Sequence, residues 1–213
     1  MKNFFVTICA ATMLLTGCGQ SDSPEAALNE ISIALAERDA AKLSERVDLD
    51  EFFSATYDAA TVELAARYDD YKARYPDDPY FQFSAEFITN YNAEHKALHM
   101  KFLDGVQSAY FAKIPAPVKP EDNPTAYVAN EFDLIRQAAD VTIKDTRFAD
   151  DRATVILDVQ GDNSLRGQFI GQLTFELAFR RDADNRWHFE AIENLDALTP
   201  TLVDKAELVW INF

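Results

Sequence analysis

Apolar residues in the first two thirds of the chain recur at the three- and four-residue spacing of amphipathic helices. The spacing predicts helices over 24–36, 40–47 and 49–74, with Ser23-Pro24-Glu25 as a capped helix start. A long helix is predicted over 84–111, and its expected buried stripe is Ile88, Tyr91, His95, Leu98, Phe102, Val106 and Tyr110. After a proline-rich loop, Asn123-Pro124 begins a last helix that runs to about residue 139.

The pattern changes to alternation of apolar and polar residues after Asp140, as expected for half-buried strands. Strands are predicted over 141–148, 153–160, 169–179 and 187–191, with polar turns at 149–152 and 181–185. Consecutive strands with short links predict an antiparallel meander, and its apolar face needs a cover. We therefore predict an α+β fold in which N-terminal amphipathic helices pack on a four-stranded antiparallel sheet, with a helical insertion over 76–138.

Residues 24–213 are predicted to form a single domain. It has a helical part over 24–138, a sheet over 140–194 and a C-terminal tail over 195–213. The tail ends in the apolar run Leu208–Phe213. We expect this run to dock on the sheet, and the alternative is a hydrophobic strand offered to a partner.

The amino terminus has the features of an export signal. Lys2 precedes an apolar run over 4–15, which is too short for the roughly 20 residues that a bilayer-spanning helix needs. The next residues, Leu15-Thr16-Gly17-Cys18, resemble the lipobox of bacterial lipoproteins. The resemblance implies cleavage between Gly17 and Cys18, a diacylglyceryl group on the Cys18 sulfur and acylation, for example with palmitate, of the new amino terminus. The alternative is an ordinary secretory signal with a chance cysteine.

A lipid-anchored protein is expected to sit close to the bilayer in the cell envelope. Residues 18–23 then form a lipidated tether, whose Gly19–Ser23 part spans at most about 17 Å. By resemblance to lipoprotein sorting in two-membrane bacteria, Gly19 after the cysteine favours the outer membrane, facing the periplasm. The membrane, contacted through Cys18, is therefore the first expected partner.

Composition narrows the possible functions. The chain has 36 acidic and 20 basic residues, a net charge of −16, and loss of Lys2 with the signal leaves −17. Such an excess of acid argues against nucleic acid as a partner. The lipobox resemblance implies that, of the two cysteines, Cys9 leaves with the signal and Cys18 takes the lipid. No thiol is then left for a disulfide, a nucleophile or a metal site.

Several segments resemble bacterial envelope proteins with an α+β cone, and the nuclear-transport-factor-two-like superfamily. The matching features are Asp39-Ala40, Val47-Asp48, the Phe175–Phe179 strand and Trp187 after a polar turn. They cover about 24–75 and 140–195 and imply a cone that encloses a pocket. The section 76–138 departs from the pattern and is expected to fill or lid that pocket. The superfamily contains enzymes, binding modules and scaffolds, so the resemblance does not choose among them.

His95 and His99 are the weak candidates for a metal site. They lie four apart on the predicted long helix, so both imidazoles can point the same way. However, Lys96 stands where the HExxH zinc motif needs glutamate, and the sequence indicates no third ligand. His95 also falls on the predicted apolar stripe, which favours a hydrogen-bonded core histidine. We predict no metal, no cofactor and no catalytic residue, and His188 is expected on the surface of a strand.

Two further segments have a structural and a functional interpretation. Aromatic residues crowd the segment 68–83, either as a rim that stacks on sugar or peptide or, as we favour, as the end of a core helix packed under a loop. Asp182-Ala183-Asp184-Asn185 begins like a calcium loop but lacks its later glycine and glutamate, so a hairpin turn is predicted.

Three functions remain open. The first is a non-enzymatic, lipid-anchored envelope protein that binds a partner protein or a small ligand. The second is a small-molecule enzyme that uses a pocket inside the cone, with His95 or a buried aspartate as proton carrier. The third is a cell-surface subunit whose acidic face binds basic partners or divalent cations.

Overall fold

The computed structural model describes residues 22–212, and the side chains of residues 22–207. Within that range the chain forms eight α-helices and a four-stranded antiparallel sheet, so the predicted α+β class is confirmed. The helices are α1 (Pro24–Glu37), α2 (Ala40–Ser44), α3 (Leu49–Ala66), α4 (Tyr68–Arg74), α5 (Ala85–Phe111), α6 (Pro124–Gln137), α7 (Leu165–Ile170) and α8 (Leu195–Asn212). The strands are β1 (Ala139–Ala149), β2 (Arg152–Gly161), β3 (Gln172–Arg181) and β4 (Trp187–Ile192). A short 3₁₀ helix covers Pro79–Gln82.

The helices begin where the capping residues predict. The side chains of Ser23, Asp39, Asp48, Ser84 and Asn123 each accept a hydrogen bond from a backbone N–H in the first turn of the helix that follows. Each cap satisfies one of the N–H groups that a helix start leaves without a carbonyl partner.

The sheet is an open meander of order β1-β2-β3-β4, in which β1 and β4 are the edge strands. Helix α1 packs on its inner face, where Ala27 joins Val155, Phe179 and Trp187 in a fully buried cluster. A second cluster joins α4 to α5 and α8, and a third joins α5 to α6.

Three boundaries differ from the prediction. The second helix was expected to reach Val47, but α2 ends at Ser44. The third helix was expected to run to Arg74, but it ends at Ala66, and α4 begins at Tyr68 after a break at Arg67. The third strand was expected from residue 169, but residues 165–170 form α7 instead. The reason is local: the Ser164 side chain caps α7, and Gly171 at φ +60° turns the chain so that β3 begins at Gln172.

The C-terminal segment forms a helix. Residues 195–212 form α8, which packs mainly against α3 and also contacts β3. Since residues 208–212 are helical, the alternative of a hydrophobic strand offered to a partner is wrong. A short apolar run has no periodic signal that separates a strand from a helix. The side chains of the apolar end, Leu208–Phe213, lie outside the described residues.

The long helix α5 has the predicted bounds to within one residue, but the predicted buried stripe is correct only at its two ends. Ile88 and Tyr110 are buried, whereas Tyr91 is 38 %, Leu98 61 % and Phe102 42 % exposed. The face turned inward carries Asn92, which is buried and hydrogen-bonded to the Tyr80 hydroxyl. Over 27 residues, a helix whose two faces both carry apolar residues does not reveal from its sequence which face is covered.

Candidate functional site

An apolar cavity of about 450 Å³ lies between the inner face of the sheet and the helices that cover it. The sheet contributes residues of β2, β3 and β4, and the other walls come from α1, α3, α5 and α6, with α2 and the loop after it at one side. Representative wall residues, one from each side, are Ile31, Phe53, Val106, Phe132 and Leu177. The volume falls within the roughly 300–1,000 Å³ of pockets that hold small molecules.

The cavity surface is almost free of polar groups. Among its described wall residues, only Gln107 and Tyr110 carry polar side-chain atoms. The Tyr110 hydroxyl is already occupied, because it donates to the Leu35 carbonyl oxygen at 2.7 Å. Cavities lined by aliphatic and aromatic side chains exclude water and accept apolar guests. The site is therefore suited to an apolar molecule and offers few groups for proton transfer.

The wall formed by α6 is incompletely packed. Val128 and Phe132 both line the cavity and are 38 % and 48 % exposed. Full burial of such a side chain stabilises a fold by about 1.5–3 kcal/mol, and a side chain that stays exposed forgoes part of this free energy. A guest in contact with these two side chains would recover part of that free energy.

A charged network holds α6 beside the cavity. Asp133 accepts hydrogen bonds from Arg38 at 2.9 Å, Arg136 at 2.9 Å and Gln137 at 2.6 Å. Burial acts to raise the pKa of Asp133, but the bonds and charges of Arg136 and Arg38 outweigh it and leave the pKa below its ordinary value. Arg38 also lies over the ring of Tyr110, 4.9 Å from its centroid. The network thus fixes the relative position of α1, α5 and α6 at the cavity wall.

A second network fixes the first described residue to the domain. Asp22 accepts two bonds from the buried Arg46 guanidinium, at 2.8 and 3.0 Å, and a third from the Trp187 backbone N–H. Arg46 also donates to Glu30 at 2.8 Å and to the Trp187 carbonyl at 2.8 Å. Burial acts to raise the pKa of Asp22, but the bonds and charge of Arg46 lower it overall. The chain is therefore held at the β4 edge from Asp22 onward.

The two histidines of the candidate metal site are held by different partners. The His95 Nδ1–H donates to the Tyr91 carbonyl at 2.9 Å, and its ring stacks on the Tyr91 ring with centroids 4.0 Å apart. The His99 Nδ1 is hydrogen-bonded to the Tyr57 hydroxyl at 2.7 Å. Within the described residues, no three His, Cys, Asp or Glu side chains are grouped so that they could hold a metal ion.

The expectation that His95 lies in the core is wrong. It stands between Tyr91 and Leu98 on the outward face of α5, and its side chain is only partly buried. The misplacement follows because the predicted stripe is exposed in the middle of the helix, from Tyr91 to Phe102.

The aromatic segment 68–83 is mainly core. Tyr68, Tyr71 and Phe81 are 2–6 % exposed, and the ring centroids of Tyr71 and Phe81 stack 5.7 Å apart. Phe83 is the exception, since it is 49 % exposed and stacks on Phe87. The core interpretation is confirmed for the three buried rings.

The predicted hairpin turn between β3 and β4 is also confirmed. Asp182 accepts bonds from the backbone N–H groups of Asp184 and Arg186, which closes the turn. His188 lies beside it with its Nε2 2.7 Å from a carboxylate oxygen of Asp182, and its side chain is 37 % exposed. This position agrees with the predicted surface location of His188.

Gly17 and Cys18, the predicted cleavage and lipid-attachment residues, lie outside the described residues. No helix within the described part of the chain is both long and apolar enough to cross a membrane. The cavity itself had no local sequence signal. Its wall residues look like ordinary core positions in the sequence, and only the assembled fold shows that they fail to fill the space between them.

No family model, no characterised protein and no solved structure matches this chain.

Proposed function

We propose that this chain is a lipid-anchored envelope protein whose domain holds a small apolar molecule, such as an acyl chain, in the cavity without acting on it chemically. The observation that carries the proposal is the cavity of about 450 Å³ with an almost wholly apolar wall. An apolar pocket stabilises a bound molecule in proportion to the apolar surface that binding removes from water. A catalytic pocket needs positioned polar groups as well.

The anchoring part of the proposal rests on the sequence from Lys2 to Cys18. A diacylated and acylated cysteine has enough buried CH₂ groups for stable attachment, at about 0.8 kcal/mol each. Asp22 is bound to Arg46, so the distance from the lipid to the domain is set by residues 19–21, and three residues span at most about 10 Å. A domain held that close to a bilayer is well placed to exchange an apolar ligand with it.

The sequence resemblance to cone-shaped domains also supports the proposal, because such a cone would enclose a pocket between its sheet and its first helices. The inserted section 76–138 contains α5 and α6. The insertion contributes Val106, Val128 and Phe132 to the cavity wall. It narrows the pocket but leaves it open to a guest.

The test is a titration of the chain carrying Cys18→Ala with the fluorescent fatty acid cis-parinaric acid. We expect saturable binding with one molecule per chain. Val128→Trp places a large side chain in the cavity from a partly exposed position and is expected to weaken binding at least about tenfold. Leu165→Trp is the matched control, because Leu165 is 85 % exposed on α7 and does not line the cavity.

Two outcomes would overturn the proposal. One is the absence of saturable binding to a folded parent protein. The other is equal affinity of the parent and Val128→Trp, which would place the fatty acid elsewhere on the surface. Circular dichroism of both variants shows whether they keep the helical content of the parent.

A further inference from the structure

A second concave site lies on the outside of the molecule, between α3, β4 and the beginning of α8. It is a groove of about 620 Å³, with a floor of apolar side chains. The floor consists of Phe52, Ala55, Ala59, Val62, Ile192 and Leu195. Val62 is 69 % exposed in the groove. This is unusual, because α3 packs against both α5 and α8, and valine is among the residues most often buried. The groove therefore presents apolar surface to solvent.

The sides of the groove are acidic. Among the described residues that line it there are six carboxylates and no lysine or arginine: Glu51, Asp58, Glu63, Glu190, Glu193 and Asp196. Three of them form ion pairs with basic residues that do not line the groove: Asp58 with Lys96, Glu63 with Arg67 and Glu190 with Arg152.

The other three carboxylates have no basic partner in the described part of the chain. They are Glu51, Glu193 and Asp196, and all are exposed. Glu51 and Asp196 lie in the first turns of α3 and α8, where the positive end of the helix dipole faces negative charge. The groove thus combines unneutralised negative charge with an exposed apolar floor.

The distribution of these groups indicates an extended ligand with several positive charges. The acids come from three different elements, and Glu51 and Asp58 are seven residues apart on α3, about 10 Å along the helix. Within the described residues, no three of these carboxylates are grouped so that they could hold one metal ion. A polyamine matches the charges but has no apolar side chain for the floor.

Strand β4 adds a feature that favours a peptide. It is an edge strand of the sheet. Near the beginning of the strand, the Phe189 N–H donates a hydrogen bond to the Arg46 carbonyl oxygen. Residues 190–192 continue along the groove. An extended peptide can place its main chain beside such an edge while its side chains reach the floor and the acids.

We propose that this groove binds a basic, amphipathic segment of a partner protein. Lysine or arginine side chains of the segment pair with Glu51, Glu193 and Asp196, and an apolar side chain covers Val62 and Ala55. The site is separate from the cavity, so this proposal does not depend on the ligand of the cavity.

The experiment uses the chain with Cys18→Ala and a short synthetic peptide of alternating lysine and leucine, labelled for fluorescence anisotropy. The groove variant carries Glu51→Gln, Glu193→Gln and Asp196→Asn. The charge-matched control carries Glu86→Gln, Glu94→Gln and Asp104→Asn, three exposed acids of α5 that lie outside the groove. We expect the groove variant to lose at least about tenfold in affinity and the control to lose less than about twofold.

A third variant, Ala55→Trp, tests the floor. Ala55 is exposed, so tryptophan fills the groove without entering the core, and we expect it to weaken binding about as much as the loss of the three acids. Equal losses in the groove and charge-matched variants would overturn the proposal, because they would show attraction to the net charge alone. Unchanged binding by Ala55→Trp, or affinity that does not fall as salt is raised, would overturn it as well.

Discussion

Phe52 of α3 and Phe189 of β4 meet edge to face, with ring centroids 6.0 Å apart and ring planes at 69°. Both residues line the apolar cavity, and both also line the acidic groove. This pair, together with Ile192, is the partition between the two sites. A ligand in the cavity that moves one of these rings would therefore also change the wall of the groove, and a ligand in the groove would change the wall of the cavity.

The first prediction concerns this partition. Phe189→Ala removes one ring of the Phe52 pair and the edge-to-face contact with Phe179, and it joins the cavity to the groove. We expect the free energy of unfolding to fall by about 3 kcal/mol, since the cavity already present limits how far the neighbours can relax. Equilibrium unfolding in urea measures the change.

Phe83→Ala is the control for that measurement. Phe83 stacks on Phe87 at a centroid distance of 4.4 Å, but it is 49 % exposed and lines neither site. We expect a loss below about 1 kcal/mol. A loss as large as that of Phe189→Ala would mean that the partition has no special importance for stability.

The fold class follows from the sequence because its signals are local. Ser23, Ser84 and Asn123 each mark a helix start, and the alternation after Asp140 marks the strands. Gly171 was misassigned because it continues the alternation, and its positive φ shows only in the assembled chain. The exposed face of α5 was missed because Tyr91 and Ile88 both carry large apolar side chains. Which of them is buried depends on the elements that pack against the helix, and the helix sequence does not show these.

The sites were harder to predict than the fold. The cavity and the groove are spaces left between elements, and no residue type marks an unfilled space. The acidic composition indicated basic partners, but only the fold brings Glu51, Glu193 and Asp196 to one groove. Conversely, His95 and His99 have a metal-like spacing, and the structure gives each a different hydrogen-bond partner.

The second prediction concerns pH and the attachment of the chain at Asp22. The pKa of Asp22 lies below its ordinary value in the folded protein, so the unfolded state binds more protons than the folded state in acid. The stabilisation by Asp22 is complete above the ordinary aspartate pKa and is lost as the pH falls through the lowered pKa. Asp22→Asn is expected to cost about 2 kcal/mol near neutral pH and much less in strong acid.

The measurement is the free energy of unfolding of parent and variant as a function of pH. Asp184→Asn provides the control, because Asp184 is an exposed turn residue and its carboxylate makes no ion pair with the described residues. Its unfolding curve is expected to follow that of the parent at every pH. A constant difference between Asp22→Asn and the parent down to strong acid would contradict the role assigned to the Arg46 pair.

The third prediction tests the close approach of two backbone segments at the end of β2. A Cβ atom on Gly161 would stand 1.8 Å from the Gly167 carbonyl oxygen, a backbone atom that cannot turn aside. Gly161→Ala must therefore displace α7 from the sheet, and we expect a loss of more than about 2 kcal/mol. Thermal unfolding followed by circular dichroism measures it.

Gly105→Ala is the comparison, because it makes the same chemical change in the middle of α5. Its Cβ would lie 3.0 Å from the Thr125 side chain, and alanine gains about 1 kcal/mol over glycine in a helix interior. The two effects oppose each other, so the net change is expected to stay below about 1 kcal/mol. Equal destabilisation by both variants would show that the contact between Gly161 and Gly167 is not tight in solution.

The last prediction concerns the anchor. Cys18→Ala removes the only cysteine that remains after cleavage between Gly17 and Cys18, and with it the acyl chains that would hold the protein on the bilayer. We expect the variant to move from the membrane pellet to the soluble fraction of broken cells, while Ser21→Ala, a change in the same short tether, stays in the pellet. Mass spectrometry of the wild-type protein is expected to show a mature chain that begins at an acylated Cys18. An unmodified amino terminus, or equal pelleting of both variants, would mean that the apolar cavity belongs to a protein without a lipid anchor.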